Sequence, residues 1–143
     1  MEIRKYEHKV QYYETDQMGI AHHSNYIRWM EEARVDLMQQ LGITMAEMEA
    51  NGFITPILSV SCEYKSMTKF YETVLIGIKA KTYNAVKLFL EYEMTDLATG
   101  KLRAVGSSSH CFLTKEGKPV SLKKCYPELH QAFEDYVRRT AEA

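Results

Sequence analysis

Cysteine is scarce. The 143-residue chain holds three, Cys62, Cys111 and Cys125, an odd number without Cys-x-x-Cys spacing. A disulfide framework or a cysteine-rich zinc site finds no support, and a reducing compartment is the simplest setting. Cys62 and Cys111 lie in apolar, strand-like runs, where burial as small hydrophobes is expected. Charge of one sign is also missing. The 18 basic and 19 acidic residues leave a formal net charge of −1. No global field favours nucleic acid or an anionic membrane. No stretch approaches the roughly 18 consecutive apolar residues of a membrane span. The N-terminal Met-Glu-Ile-Arg-Lys-Tyr-Glu-His lacks the apolar core of a secretory signal, so a cytoplasmic location is expected. There is no Gly-x-Gly-x-x-Gly, no P-loop and no Gly-x-Ser-x-Gly. That counts against a dinucleotide cofactor, nucleoside triphosphate hydrolysis and a serine-hydrolase mechanism. No linker, low-complexity tract or repeat interrupts the chain, which fits one domain over residues 1–143 with a real core.

What is present is a change of period. Residues 4–13 read as a first strand, with Ile3, Val10, Tyr12 and Tyr13 available for burial. Residues 14–22 read as a loop. Over 24–41, Tyr26, Met30, Ala33, Leu37 and Leu41 recur at spacings of 4, 3, 4 and 4, one apolar stripe on a long helix. Ser24 or Asn25 can cap its start, and Gly42 stands where a C-terminal glycine belongs. A short helix fits 44–51, with Thr44 and Glu47 as a capping box and Asn51-Gly52 ending it. Residues 54–64, 70–82, 86–96 and 102–114 then read as four antiparallel strands, and Lys87–Met94 alternates charged with apolar positions. A last helix starts at Tyr126-Pro127 and carries Leu129, Ala132, Phe133, Tyr136 and Val137 on one side. This order predicts α+β, one sheet packed on the long helix. The remaining apolar strand residues predict self-association.

The segment Tyr12–Arg34 carries the chemistry. Asp16 sits in the loop between strand and helix, beside Gly19, whose bare backbone allows close approach. A carboxylate there can activate water or attack a carbonyl; it can also simply cap a turn. His22 and His23 precede the helix, and an extended backbone would send them to opposite sides. Either can bind a carboxylate, polarise a carbonyl or cap locally. The amides of residues 23–26 at the helix start suit an oxyanion. Tyr12 can orient a substrate or simply pack. Glu31 and Glu32 are expected to pair with Arg28 or Arg34 along the helix. The turn lysines, Lys79, Lys81, Lys87, Lys115, Lys118, Lys123 and Lys124, form a solvated face that can also receive phosphates. A metal would need Asp16, one of the two histidines and a distant ligand such as His110; no ligand spacing supports it, and no cofactor is expected.

The pattern Tyr12-Tyr13-Glu14-Thr15-Asp16-x-x-Gly19-x-x-x-His23-x-x-Tyr26, followed by Arg28-x-x-Glu31-x-Ala33-Arg34, resembles the hotdog-fold acyl-CoA thioesterases. It is most similar to the 4-hydroxybenzoyl-CoA thioesterase-like group and, within it, to the Tol-Pal-associated branch. The resemblance implies a hotdog fold, in which an antiparallel sheet wraps a long central helix. It implies hydrolysis of an acyl-CoA to a free acid and coenzyme A, with sites at a dimer interface and often a dimer of dimers. The family's acidic residue falls on Asp16, the branch's histidine on His23 and its active-site tyrosine on Tyr12. Where the 4-hydroxybenzoyl enzymes carry a tyrosine at the position of His23, the backbone N–H contacts the thioester carbonyl, a role any peptide can keep. The segment Pro56–Ser61, including Ser59 and Val60, resembles the strand that lines the acyl pocket. Lys81, Lys87 and Lys118 are candidates for coenzyme A phosphates. A hotdog-fold hydratase or dehydratase and a non-catalytic acyl-CoA-binding protein remain as alternatives.

Overall fold

A computed structural model describes residues 2–141. The chain runs β1 (Tyr6–Lys9), a 3-10 turn (Tyr12–Glu14), α1 (Ser24–Gln40), α2 (Met45–Ala50), β2 (Phe53–Ile54), β3 (Ile57–Tyr64), β4 (Thr73–Tyr83), β5 (Lys87–Asp96), β6 (Leu102–Cys111), β7 (Leu113–Thr114), α3 (Leu122–Cys125) and α4 (Pro127–Ala141). A five-stranded sheet has the order β1-β4-β5-β6-β3, and β2 pairs with β7. The expected α+β architecture is present. The alternation along β5 sets its burial, with Leu88, Leu90, Tyr92 and Met94 buried between exposed neighbours.

The first strand is shorter than 4–13. Pairing with β4 runs from Tyr6↔Ile76 to Lys9↔Thr73. The chain then coils into the turn, leaving Tyr12 and Tyr13 75% and 83% exposed, not buried. The segment 54–64 breaks at Pro56, which has no N–H for a ladder. Cys62 and Cys111 are half-buried, less enclosed than expected. Burial pushes the Cys62 thiol above its usual range, which keeps it protonated.

Two compact units can be described separately. One gathers residues up to Leu37, Ser61–Ile78 and Tyr92–Gly106. Here α1 buries Tyr26, Met30, Ala33 and Leu37 of the predicted stripe, and Trp29 with them, alongside Val10, Val74, Ile76, Met94 and Ala104; Leu41 lies past the helix end and is only half-buried. Met30 reaches the sheet at Gly106, where the absence of a side chain makes room for it. Buried Arg103 bonds Glu72 at 2.8 Å and Ser66 at 3.1 Å and lies 3.7 Å from Asp96. Its Nε has no partner among the described residues. The predicted pairing of Glu31 and Glu32 with arginines does not form. Glu32 instead accepts from the Tyr6 hydroxyl, Arg28 donates to Asn25 and Arg34 to the Tyr92 hydroxyl. For Glu32 and Arg34 the partners are tertiary, from β1 and β5, whereas Arg28 bonds a neighbour on its own helix; exposed ion pairs along a helix are too weak to dictate either choice.

The other unit holds Met38–Val60, Lys79–Glu91 and the chain from Ser107 onward. Thr44 caps α2 by accepting from the Glu47 amide at 3.1 Å. The apolar side of α4, with Leu129, Phe133 and Tyr136 buried, packs on Phe112 and Tyr83 through tilted ring contacts of 6.1 and 5.3 Å. Tyr83 bonds His130 at 2.7 Å, and His130 meets Glu134 at 2.7 Å.

Candidate active site

Asp16 stands at the head of a tight turn. Thr15 bridges Ala21, and the Asp16 amide donates to the Ile20 carbonyl at 2.9 Å. Gly19 closes the turn with φ +77, a conformation that favours glycine. One carboxylate oxygen of Asp16 accepts from the Met18 amide at 2.8 Å. The turn-capping role weighed from sequence is therefore real. It also fixes the carboxylate's orientation and uses only one of its two oxygens.

The turn is held from below. The Ala21 amide donates to the Thr68 carbonyl at 2.7 Å, Ile20 bridges Lys69, and the Tyr26 hydroxyl donates to the Thr68 hydroxyl at 3.0 Å. Thr68 is fully buried. These bonds brace Ile20, Ala21 and Tyr26 on one side of a cleft of about 300 Å³, onto which Asp16, Met18, His23, Tyr64 and Met67 also open.

The start of α1 forms the other side. The His22 ring accepts from the Ser24 amide at 3.2 Å, so His22 caps the helix, not Ser24 or Asn25. The Asn25 side chain instead donates to the Glu14 carbonyl at 2.8 Å. The two imidazoles do not diverge. Their centroids lie 4.2 Å apart, because His23 is already in the helical turn and strand alternation no longer applies. The amides of Asn25 and Tyr26 donate to the carbonyls of His22 and His23. Three of the four amides over 23–26 are thus satisfied, and for His23 N–H no described residue supplies an acceptor. The expected row of helix-start donors narrows to the peptide N–H of His23, a residue that lines the cleft.

Tyr64 was not singled out from sequence. Its hydroxyl donates to the His23 carbonyl at 3.1 Å, and its ring meets Tyr26 edge-on at 4.9 Å. Desolvation, followed by the influence of Cys62, pushes its phenol up to about 12, so at neutral pH it is a donor and no base. Lys65 and Met67, just beyond β3, also border the cleft. The only signal for them is position, a few residues beyond the Pro56–Ser61 segment that resembles an acyl-pocket strand.

Other candidates lie elsewhere. Tyr12 packs against Phe70 at 5.3 Å and does not line this cleft. Ser59 bonds Ser109 at 2.5 Å, and Val60 is 42% exposed on the edge strand. Lys81, Lys87 and Lys118 are exposed and are not part of the cleft's lining. His110 is buried against Ser108 at 2.8 Å.

Residues 10–133 match the model of the thioesterase-like superfamily. A protein of Bacillus subtilis named "Putative acyl-CoA thioesterase YneP" is 36% identical, over 94% of this chain and 97% of its own length. A DHNA-CoA thioesterase from Staphylococcus aureus superposes with a TM-score of 0.87 at 30% identity, covering 92% of this chain and 89% of that one. The hypothetical protein TT1821 from Thermus thermophilus gives a TM-score of 0.84 at 26% identity, over 94% and 99% of the two chains.

Proposed function

The chain belongs to the thioesterase-like superfamily and has its α+β hotdog fold, and from that premise we propose that it hydrolyses acyl-CoA thioesters to a carboxylic acid and coenzyme A. The observation that carries this reading is the cleft lined by both Asp16 and His23, whose N–H has no acceptor among the described residues. The motif from Tyr12 to Arg34 further favours the 4-hydroxybenzoyl-CoA thioesterase-like group and its Tol-Pal-associated branch.

The thioester carbonyl oxygen points at the His23 N–H, which sits at the positive end of α1. Negative charge builds on that oxygen as the carbonyl carbon becomes tetrahedral, and a preorganised donor is worth most there. Asp16 either takes a proton from attacking water or attacks the carbonyl itself, forming an anhydride that water then opens. The C–S bond breaks, coenzyme A leaves as a thiolate, and a proton from water restores the thiol. Thiolate is a good leaving group, so a strong general acid is dispensable. The imidazole of His23 orients the substrate or helps deprotonate water.

A second copy of the chain completes the site. Support comes from β3, an edge strand in the sheet order, with Ile57, Leu58, Val60 and Tyr64 between 42% and 52% exposed. An unpaired apolar edge is a template for pairing. Dimers formed there would join further into a dimer of dimers, in keeping with the family resemblance. Among the described residues no helix is long and apolar enough to cross a membrane.

The test is thiol release from short, medium, long and aromatic acyl-CoAs. Hydrolysis of at least one class is expected. Tight binding without thiol release would replace this reading with a binding protein, and water addition to an enoyl-CoA would replace it with a hydratase.

A further inference from the structure

Glu14 lies two residues before Asp16 and is 5% exposed. Its carboxylate has three hydrogen-bond partners. Trp29 Nε1 reaches one oxygen at 2.7 Å; the Gln11 amide and His8 Nε2 each reach the other at 2.8 Å. These come from α1, from the turn's own start and from β1. The His8 ring also packs on Trp29, centroids 4.7 Å apart. At the main-chain end, the Glu14 carbonyl accepts from the His22 amide and the Asn25 side chain, both at 2.8 Å. One residue thus grips a strand and a helix with its side chain. With its backbone it grips residues on both sides of His23.

We propose that Glu14 is a positioning residue for the hydrolysis described above, its buried carboxylate holding the Asp16 turn and the His23 peptide in register. The inference rests on that reading of Asp16 and His23. Thr15 and Asp16 follow Glu14 directly and are closed into the turn by the bridge to Ala21. A shift of Glu14 therefore moves both halves of the site. Catalytic groups need to sit within about 0.5 Å of their working geometry.

Trp29 N–H and the Gln11 amide, one on each oxygen, favour an ionised acceptor. Burial pushes the Glu14 carboxyl up, but the hydrogen bonds from Trp29, Gln11 and His8, with the charge of His8, outweigh it and hold it below its ordinary range. Glutamine has the same shape but presents an NH2 on one side. Whichever way it turns, that NH2 meets either Trp29 N–H or the Gln11 amide, donor against donor.

Glu14→Gln and Trp29→Phe are compared with wild type and Asp16→Asn in the full-length protein, below all melting temperatures. For Glu14→Gln, kcat is expected to fall on the order of 10- to 100-fold with KM within about threefold, the signature of misplaced groups. A residue that only stabilised the fold would lower the melting temperature and leave kcat of the folded enzyme intact. Amide hydrogen exchange at His22 and Asn25 is expected to rise about tenfold in Glu14→Gln, with Met94 in β5 unchanged. A folded Glu14→Gln with wild-type kcat, or with unaltered exchange at His22 and Asn25, overturns the proposal. Should Glu14→Gln fail to fold, Trp29→Phe carries the test: a several-fold loss of kcat supports it, wild-type kcat overturns it. Wild-type activity in Asp16→Asn would instead displace the hydrolytic assignment, and the exchange result then decides the role of Glu14 alone.

Discussion

Gly106→Ala isolates one close approach between α1 and the sheet. A methyl group there would sit 2.2 Å from Met30 Cε and 2.7 Å from the Ser61 carbonyl oxygen. The methionine tip can swing away. The carbonyl belongs to β3 and can retreat only if that strand shifts from β6. Overpacking of this kind costs about 1–3 kcal/mol. With unfolding entropy near 2.1 cal/mol/K per residue, a chain of 143 residues has about 0.3 kcal/mol/K at its midpoint, so Tm falls by about 3–10 °C. Gly77→Ala is the control, another glycine within a strand. The nearest neighbours of its new methyl all belong to the flexible Lys5 side chain, the first at 3.2 Å, and that side chain can move. Loss of unfolded-state freedom favours alanine there by up to about 1 kcal/mol. Calorimetry at one fixed protein concentration gives both values, since any self-association would make Tm concentration-dependent. A Gly106→Ala protein that melts at or above Gly77→Ala would refute the reasoning.

Acid should destabilise the fold in a defined direction. Glu14 is held below its ordinary range against burial by Trp29, Gln11 and His8, and Asp96 by hydrogen bonds from Thr99 and the charge of Arg103. Folded values below the unfolded ones give stability that is complete above about pH 4 and lost as pH falls through the folded values. A urea midpoint that stays flat from pH 6 to pH 3 would contradict this. Arg103→Met strands Glu72 and Asp96 and should cost about 3–5 kcal/mol, as for a broken buried pair; an unchanged urea midpoint would argue otherwise. Val60→Glu places charge on the exposed edge of β3 and should shift sedimentation toward monomer with lower activity. Unaltered sedimentation would place the interface elsewhere.

Much of the fold was legible because periodicity records burial. The stripe on α1 and the alternation on β5 each named a buried face. The first strand was misjudged because Tyr12 and Tyr13 look like strand residues, whereas a 3-10 turn tied to Glu14 governs them. At the site, the motif marked Asp16 and His23, and both reach one cleft. Long-range bonds were not legible. Nothing local says that Tyr64 will donate to His23, that His8 and Trp29 will share Glu14, or that an imidazole will cap α1 where serine or asparagine is available. The exposed lysines gave no signal at all, since a solvated lysine and a phosphate ligand look alike in sequence.

The central claim is that Asp16 performs the chemistry. The direct measurement is kcat for thiol release by purified, folded Asp16→Asn on the best acyl-CoA of the panel. The Asp16 turn can survive the change, because asparagine keeps an oxygen for the Met18 amide. A fall in kcat of about 10² or more is expected from loss of the base or nucleophile. Hydrolysis at the wild-type rate would contradict the assignment.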